Sequence, residues 1–303
     1  LNKSNLNKII FAHLALFIVN LIYALNYSIA KDVMPEFIKP SGFILLRVST
    51  GVFLFFIFFK SFINEKINRS DIIRFSACGL FGVAINQLFF FEGLSLTTPI
   101  NAAIIMTTNP ILVIVISAIL LRDKISLRKI IGIIFGFIGA CNLILNSGDF
   151  SFNNNFLIGN FLVFINATSY ALYLVLVKDL MNRYHPITVM FYVFLFGLIF
   201  VMPFGYENLM LIDLQTFTNE IYLKVLFVII FTTFIAYLFN GFALKSLTPS
   251  TVSVYIYLQP LLASLIALSL NVDTLDIQKI ISTCFIFTAV FLVSLPQKKV
   301  KTD

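Results

Sequence analysis

Ten apolar runs, each near twenty residues long, divide this chain. They cover roughly 9–31, 42–60, 72–95, 99–121, 128–146, 156–178, 187–205, 221–244, 250–270 and 278–296. About 20 helical residues cross a hydrocarbon layer ~30 Å thick. Inside lipid every backbone N–H and C=O must be paired within the protein, so a spanning segment is a helix or a strand of a closed barrel. Barrel strands read as ~10-residue segments of alternating polarity, and these runs are continuous. The expected fold is an all-α polytopic membrane protein with ten transmembrane helices. Only 12% of the residues are charged and 59% are hydrophobic, against about 25% charge in a soluble domain, so a water-facing surface could not be covered.

The net charge of +7 is distributed as in a membrane protein, in short loops between apolar runs, and implies no nucleic-acid partner. With the N-terminus inside, sixteen of the 21 lysines and arginines fall on the inner side. The loops 146–156 and 205–220 carry none. Both termini are therefore expected in the cytoplasm. The first run is too long for a signal-peptide core and ends in Lys31-Asp32 without a small-residue cleavage site, so it is expected to be a retained span. Abundant Ile, Phe, Asn and Lys fit an AT-rich genome, and the expected location is a bacterial inner (cytoplasmic) membrane. Cys78, Cys141 and Cys284 lie within apolar runs and are expected to be buried small hydrophobes.

One frame occurs twice. "TPINAAIIMTTNP" (98–110) and "TPSTVSVYIYLQP" (248–260) each read Thr-Pro, ten residues, amide, Pro, and stand 150 positions apart. At offsets of 146 to 147, "YALNYSIAKD" (23–32) maps to "YALYLVLVKD" (170–179), Pro40 to Pro186 and Gly51 to Gly197. The chain thus divides at about 1–148 and 149–303. Five spans in each half force the second half upside down, the inverted repeat of many secondary transporters, whose substrate sits near the midplane. Thr98 and Thr248 suit N-caps and the following prolines suit first helical positions. Eleven residues on, about 16 Å at 1.5 Å per residue, Pro110 and Pro260 are expected to kink these helices near the midplane and free the carbonyls of Met106 and Ile256. Two readings follow: a packing kink satisfied by Thr107 or Thr108, or a kinked helix lining a central cavity beside Asn109 and Gln259.

The frame, together with "LRDKISLRKIIGIIFGFIG" (121–139), "NYSIAK" (26–31), its echo "YLVLVK" (173–178) and Arg47, resembles EamA-type members of the drug/metabolite transporter superfamily across essentially the whole chain. The resemblance implies ten helices in two inverted five-helix halves and alternating-access transport of small metabolites, with export as the expected direction. Its members carry amino acids, amines, sugars and drugs, so substrate is not specified beyond amino-acid-like or amphipathic compounds. A tryptophan common early in that family's first helix has no counterpart here. Tyr23 and Tyr170 stand near the corresponding positions.

Polar side chains inside spans are costly and mark cavities or partners. Asn20, Asn26, Asn86, Gln87, Asn101, Asn109, Asn166, Asn240 and Gln259 fall on the first, third, fourth, sixth, eighth and ninth spans. Tyr23, Tyr27, Tyr170, Tyr173, Tyr237, Tyr255 and Tyr257 fall on the same ones, an interfacial belt being the reading for those near span ends. The nine amides, Tyr23, Tyr170, Tyr173, Tyr237, Tyr255 and Met106 are the fifteen candidate substrate-binding residues. Tyr257 is expected beside Tyr255 in the lining, and ordinary interhelical amide bonding is the alternative for each amide. Glu92 sits about a turn from the outer end of its span, with Lys31 and Arg47 near the same level. An outer ion pair or a solvated Glu92 both fit. Lys178 and Lys245 end the sixth and eighth spans on the inner side, which makes these five the gating or coupling candidates. "GIIFGFIG" (132–139) offers a small-residue face, expected to pack within a monomer, a dimer being the alternative. No nucleophile–base set points to an enzyme and no charged ring to a channel. No metal or cofactor is implied.

Overall fold

The computed structural model describes residues 3–63, 65–122, 125–146, 157–269 and 277–295. The half boundary expected at 148/149 lies outside them. Every element in the described residues is helical. In chain order these are α1 (Lys3–Val33), α2 (Pro40–Phe58), α3 (Ile72–Gly79), α4 (Asn86–Leu96), α5 (Pro99–Met106), α6 (Asn109–Leu120) and α7 (Leu127–Asn146). There follow α8 (Leu157–Arg183), α9 (Pro186–Met210), α10 (Asn219–Phe227), α11 (Ala236–Ser246), α12 (Pro249–Val254), α13 (Leu258–Ser269) and α14 (Ile277–Ser294). Among the described residues, seven continuous helical stretches are long and apolar enough to cross a membrane. Large apolar side chains such as Ile73, Ile119 and Leu223 point outward, Ile73 at 81% exposure. In water such a surface would aggregate, whereas in lipid it is solvated.

The third and eighth runs are not plain helices. Between α3 and α4 the backbone widens into a π-helical segment, Leu80–Ile85. Between α10 and α11 it does so again at Val228–Ile235. Wider turns loosen the i→i−4 ladder, and side chains use the carbonyls this makes available. Ser169 Oγ donates to Phe81 O at 2.6 Å, Tyr237 OH to Gly82 O at 3.0 Å and Thr233 Oγ1 to Val228 O at 2.9 Å.

The proline frames also differ from expectation. The first is not one kinked helix. It is two helices, with α5 ending at Met106 and α6 starting at Asn109. Pro110 is the second residue of α6, where a missing N–H leaves no bond unmade. Thr107 Oγ1 donates to Ile104 O at 2.6 Å and Thr108 Oγ1 to Ile105 O at 2.7 Å, so adjacent threonines satisfy the break. In the second frame a 3₁₀ turn, Tyr255–Tyr257, joins α12 to α13. Pro260 falls in the first turn of α13 for the same reason. Both frames open on a threonine cap: Thr98 Oγ1 accepts Asn101 N–H at 3.1 Å, and Thr248 Oγ1 accepts Thr251 N–H at 3.2 Å.

Close packing is set by glycine. The stripe in α7 lies on α14, where a Cβ at Gly132 would come within 2.8 Å of Val293 and one at Gly139 within 2.8 Å of Phe285. Phe135 and Phe285 stack at 5.5 Å, and Asn142 Nδ2 donates to Ser282 Oγ at 2.8 Å. The small-residue face is therefore used within the chain. Cys78 is buried in this interior, but Cys284 is exposed on α14, contrary to expectation. At one end of the bundle Arg183 Nη1 binds both oxygens of buried Asp71 at 2.6 and 2.7 Å, and Arg74 and Arg183 both pair with Asp179. At the other, Lys224 bridges Asp32 at 2.8 Å and Glu220 at 2.6 Å.

Candidate functional site

A cavity of about 700 Å³, including the open space at its mouth, lies among α1, α2, α4, α5, α8, the second π-helical segment, α11, α12, the turn after α12 and the start of α13. Helical periodicity selects its walls, since residues three and four apart share a face. From α1 come Val19, Asn20, Tyr23, Asn26 and Tyr27, and from α4 come Asn86, Gln87, Phe90 and Phe91. Asn166 and Tyr170 of α8 and Tyr237 and Asn240 of α11 complete the polar ring. Met106, Val252 and Ile256 make an apolar side, and Gln259, Thr232 and Arg47 close it.

The polar groups form cross-helix bonds. Asn240 Nδ2 donates toward Tyr23 OH and Tyr170 OH, each at 3.4 Å. Those tyrosines are the ones that correspond at offset 147. Gln87 Nε2 donates to Tyr237 OH at 3.1 Å. Gln259 accepts Tyr27 OH at 3.1 Å and donates to Asn20 Oδ1 at 2.9 Å, tying the second frame to α1. Asn166 Nδ2 donates to Asn86 O at 2.7 Å. Arg47, 2% exposed, donates from Nε to Thr233 Oγ1 at 2.8 Å and lies 4.4 Å from the centre of the Phe91 ring.

Eleven of the fifteen residues expected to bind substrate line this cavity: Asn20, Tyr23, Asn26, Asn86, Gln87, Met106, Asn166, Tyr170, Tyr237, Asn240 and Gln259. Four do not. Asn101 is turned onto Thr97 Oγ1 at 3.2 Å. Asn109 donates to Ala167 O at 2.7 Å, so the first frame's amide holds α6 to α8 while the second frame's faces the cavity. Tyr173 reaches the sulfur of Met190 at 3.9 Å, and Tyr255 meets His13 Nδ1 at 2.6 Å. Tyr257, also expected in the lining, is buried against α7 with its hydroxyl on Ile133 O at 3.3 Å. Val19, Tyr27, Phe90, Phe91, Thr232, Val252 and Ile256 also line it and were not among the expected substrate-binding residues. The three- and four-residue spacing from Tyr23, Asn86 and Gln87 would have found those on α1 and α4.

The charged candidates are rearranged. Arg47 lies in the cavity wall and not at an outer mouth. Lys31 makes no ion pair with Glu92: its Nζ donates to the carbonyls of Leu94, Ser95 and Thr97 at 2.7, 2.9 and 3.0 Å. A cation there satisfies the orphan acceptors at the C-terminus of α4. Half-buried Glu92 accepts a bond from the Ser41 backbone, and among the described residues it joins no ion pair. Lys178 repeats the Lys31 arrangement on Leu244 O, at the end of α11. Lys245 is exposed.

The model of the EamA-like transporter family matches residues 10–145 and again 157–295. The chain belongs to this family. Transporter YyaM of Bacillus subtilis (strain 168), named as uncharacterized, is 24% identical over 267 residues, covering 86% of this chain and 87% of the relative. An uncharacterized transporter of Archaeoglobus fulgidus is 25% identical over 89% of this chain and 92% of its own length. A solved crystal structure superposes with a TM-score of 0.73 at 17% identity, covering 95% of this chain and 96% of that one, which establishes a shared fold. The two successive matches of the EamA-like model leave residues 146–156 between them.

Proposed function

We propose that this EamA-like protein is a secondary transporter that moves small amino-acid-like or amphipathic metabolites across the membrane by alternating access, in the direction of export. The observation that carries the reading is the central cavity, whose polar wall is contributed by both halves and pinned where Asn240 meets Tyr23 and Tyr170. Amide, hydroxyl and guanidinium groups gathered around one cavity inside an apolar bundle are costly to desolvate, which supports reading it as the substrate site. In this reading ten spans form two inverted five-helix halves, 1–148 and 149–303, in a bacterial cytoplasmic membrane with both termini inside. The monomer is the transporting unit. The cavity residues bind substrate, and Lys31 and Lys178 hold corresponding helix ends at the two mouths. Rocking of one half against the other would move these contacts in antiphase.

Counterflow in proteoliposomes tests this. Saturable exchange of a trapped solute supports a carrier. Flux that follows voltage without saturation would indicate a channel instead. Glu92→Gln with unchanged transport and pH dependence removes that carboxylate from coupling.

A further inference from the structure

We infer that Arg47 is the anion-binding residue of the central cavity, and that the substrate is a small organic acid with one carboxylate and a nearby N–H or O–H donor. The inference rests on the transporter reading and names the class of solute the same cavity takes.

Among the described lining residues Arg47 carries the only formal charge. A guanidinium offers five N–H donors. In the structure Nε donates to Thr233, one face of the guanidinium lies over the Phe91 ring, and Nη1 is buried without a partner among the described residues. No described carboxylate pairs with Arg47. A buried charge left uncompensated in a bundle this apolar is expensive. A ligand carboxylate would complete it with charge-assisted bonds. One negative charge brings the cavity to neutrality. A cation would be repelled, and a dianion would leave a charge unpaired.

The donor requirement comes from the opposite chemistry. Gln87 Oε1 and Asn166 Oδ1 are buried lining acceptors without partners among the described residues. Their amide orientations follow from the network. Asn166 must present Nδ2 to the carbonyl of Asn86. Tyr237 spends its proton on Gly82 O, so it accepts from Gln87 Nε2. Each amide therefore keeps its oxygen for a ligand donor. Phe90, Met106 and Val252 leave an apolar side for the rest of the molecule.

The test uses the full-length purified protein. Thermal stability is measured with the twenty amino acids and a set of C3–C8 hydroxy and unsubstituted monocarboxylic acids, each matched with its primary amide. Stabilising compounds are then taken into counterflow. At least one acid is expected to stabilise the protein and exchange, about tenfold or more better than its amide. Arg47→Gln should abolish that preference while the protein stays monodisperse, and Arg47→Lys should keep part of it. The wild-type comparison needs no variant to fold. If acids and amides act equally, or only amines and neutral solutes exchange, the inference is overturned and the transporter reading stands. If no compound stabilises and none exchanges, both fall.

Discussion

Gln87 and Tyr237 stand 150 positions apart, the spacing of the repeated frames, and meet across the cavity with Gln87 Nε2 3.1 Å from the tyrosine hydroxyl. Each follows a π-helical segment that ends two residues earlier. The hydroxyl also donates to Gly82 O inside the first of those segments. One hydrogen-bonded pair thus joins both irregular helices at the site.

Tyr237→Phe removes that hydroxyl and leaves the Gln87 amide and the Gly82 carbonyl facing each other unpaired. Interhelical bonds in membranes contribute about 0.6 kcal/mol, and stranding buried partners raises the cost to ~1–2 kcal/mol. A lower thermal midpoint and weakened substrate exchange are expected. Wild-type stability in the variant would show that the pair does not hold the helices.

Lys31 and Lys178 predict an asymmetry. Lys31 satisfies three carbonyls at the end of α4, whereas Lys178 satisfies one at the end of α11. Lys31→Met should therefore cost more than Lys178→Met, by ~1 kcal/mol on the scale of charged hydrogen bonds and helix-end charges. Denaturation of the two variants in the same detergent measures the difference. Equal losses count against the capping role.

Gly93 of α4 and Gly159 of α8 are in reciprocal contact. A Cβ on either would lie 2.8 Å from the other's carbonyl oxygen. Backbone cannot swing aside as a side-chain tip can, so Gly93→Ala and Gly159→Ala should each destabilise by about 1–3 kcal/mol. Because one separation of the helices relieves both clashes, the double variant should lose less than the sum. Strict additivity in thermal melts would contradict this.

His185 caps α9 through Nδ1, which accepts the Ile187 N–H at 3.3 Å, while the His185 backbone N–H donates to Glu65 Oε2 at 3.0 Å. Burial first, then the nearby Lys245 charge, lowers its pKa below 6.5, with Glu65 opposing. The unfolded chain therefore takes up this proton before the folded one. The contribution is present above about pH 6.5 and is lost as pH falls through the lowered folded value. His185→Asn keeps an acceptor at the cap, so its thermal midpoint should fall less than wild type between pH 7 and 5. Parallel curves would exclude His185 as the source.

Much of the site was legible because helical periodicity is local. Asn20 predicts Tyr23 and Tyr27 on its face, and Asn86 predicts Phe90. Most of the amides and tyrosines of the spans lie along the cavity, while Asn101, Asn109, Tyr173 and Tyr257 are just as buried but turn onto neighbouring helices. Asn109 and Gln259 occupy matching places in the two frames, yet one binds the backbone of α8 and the other faces the cavity. A residue's direction depends on where the preceding turn breaks. Two threonines end α5, while a 3₁₀ turn carries α12 into α13.

The sequence by itself determined that this chain is helical, membrane-spanning and built on a repeated frame, because hydropathy, run length and threonine–proline caps act over neighbouring residues. Only the tertiary structure decided which charges meet which partners. Lys31 lies close to Glu92 in level but binds three carbonyls, because the C-terminus of α4 presents unpaired acceptors within its reach. Arg47 reads as a residue near a membrane surface, yet the close approach of α2, α4 and the second π segment buries it against Phe91 and Thr233. Those contacts join residues up to 186 positions apart, and no local pattern encodes them.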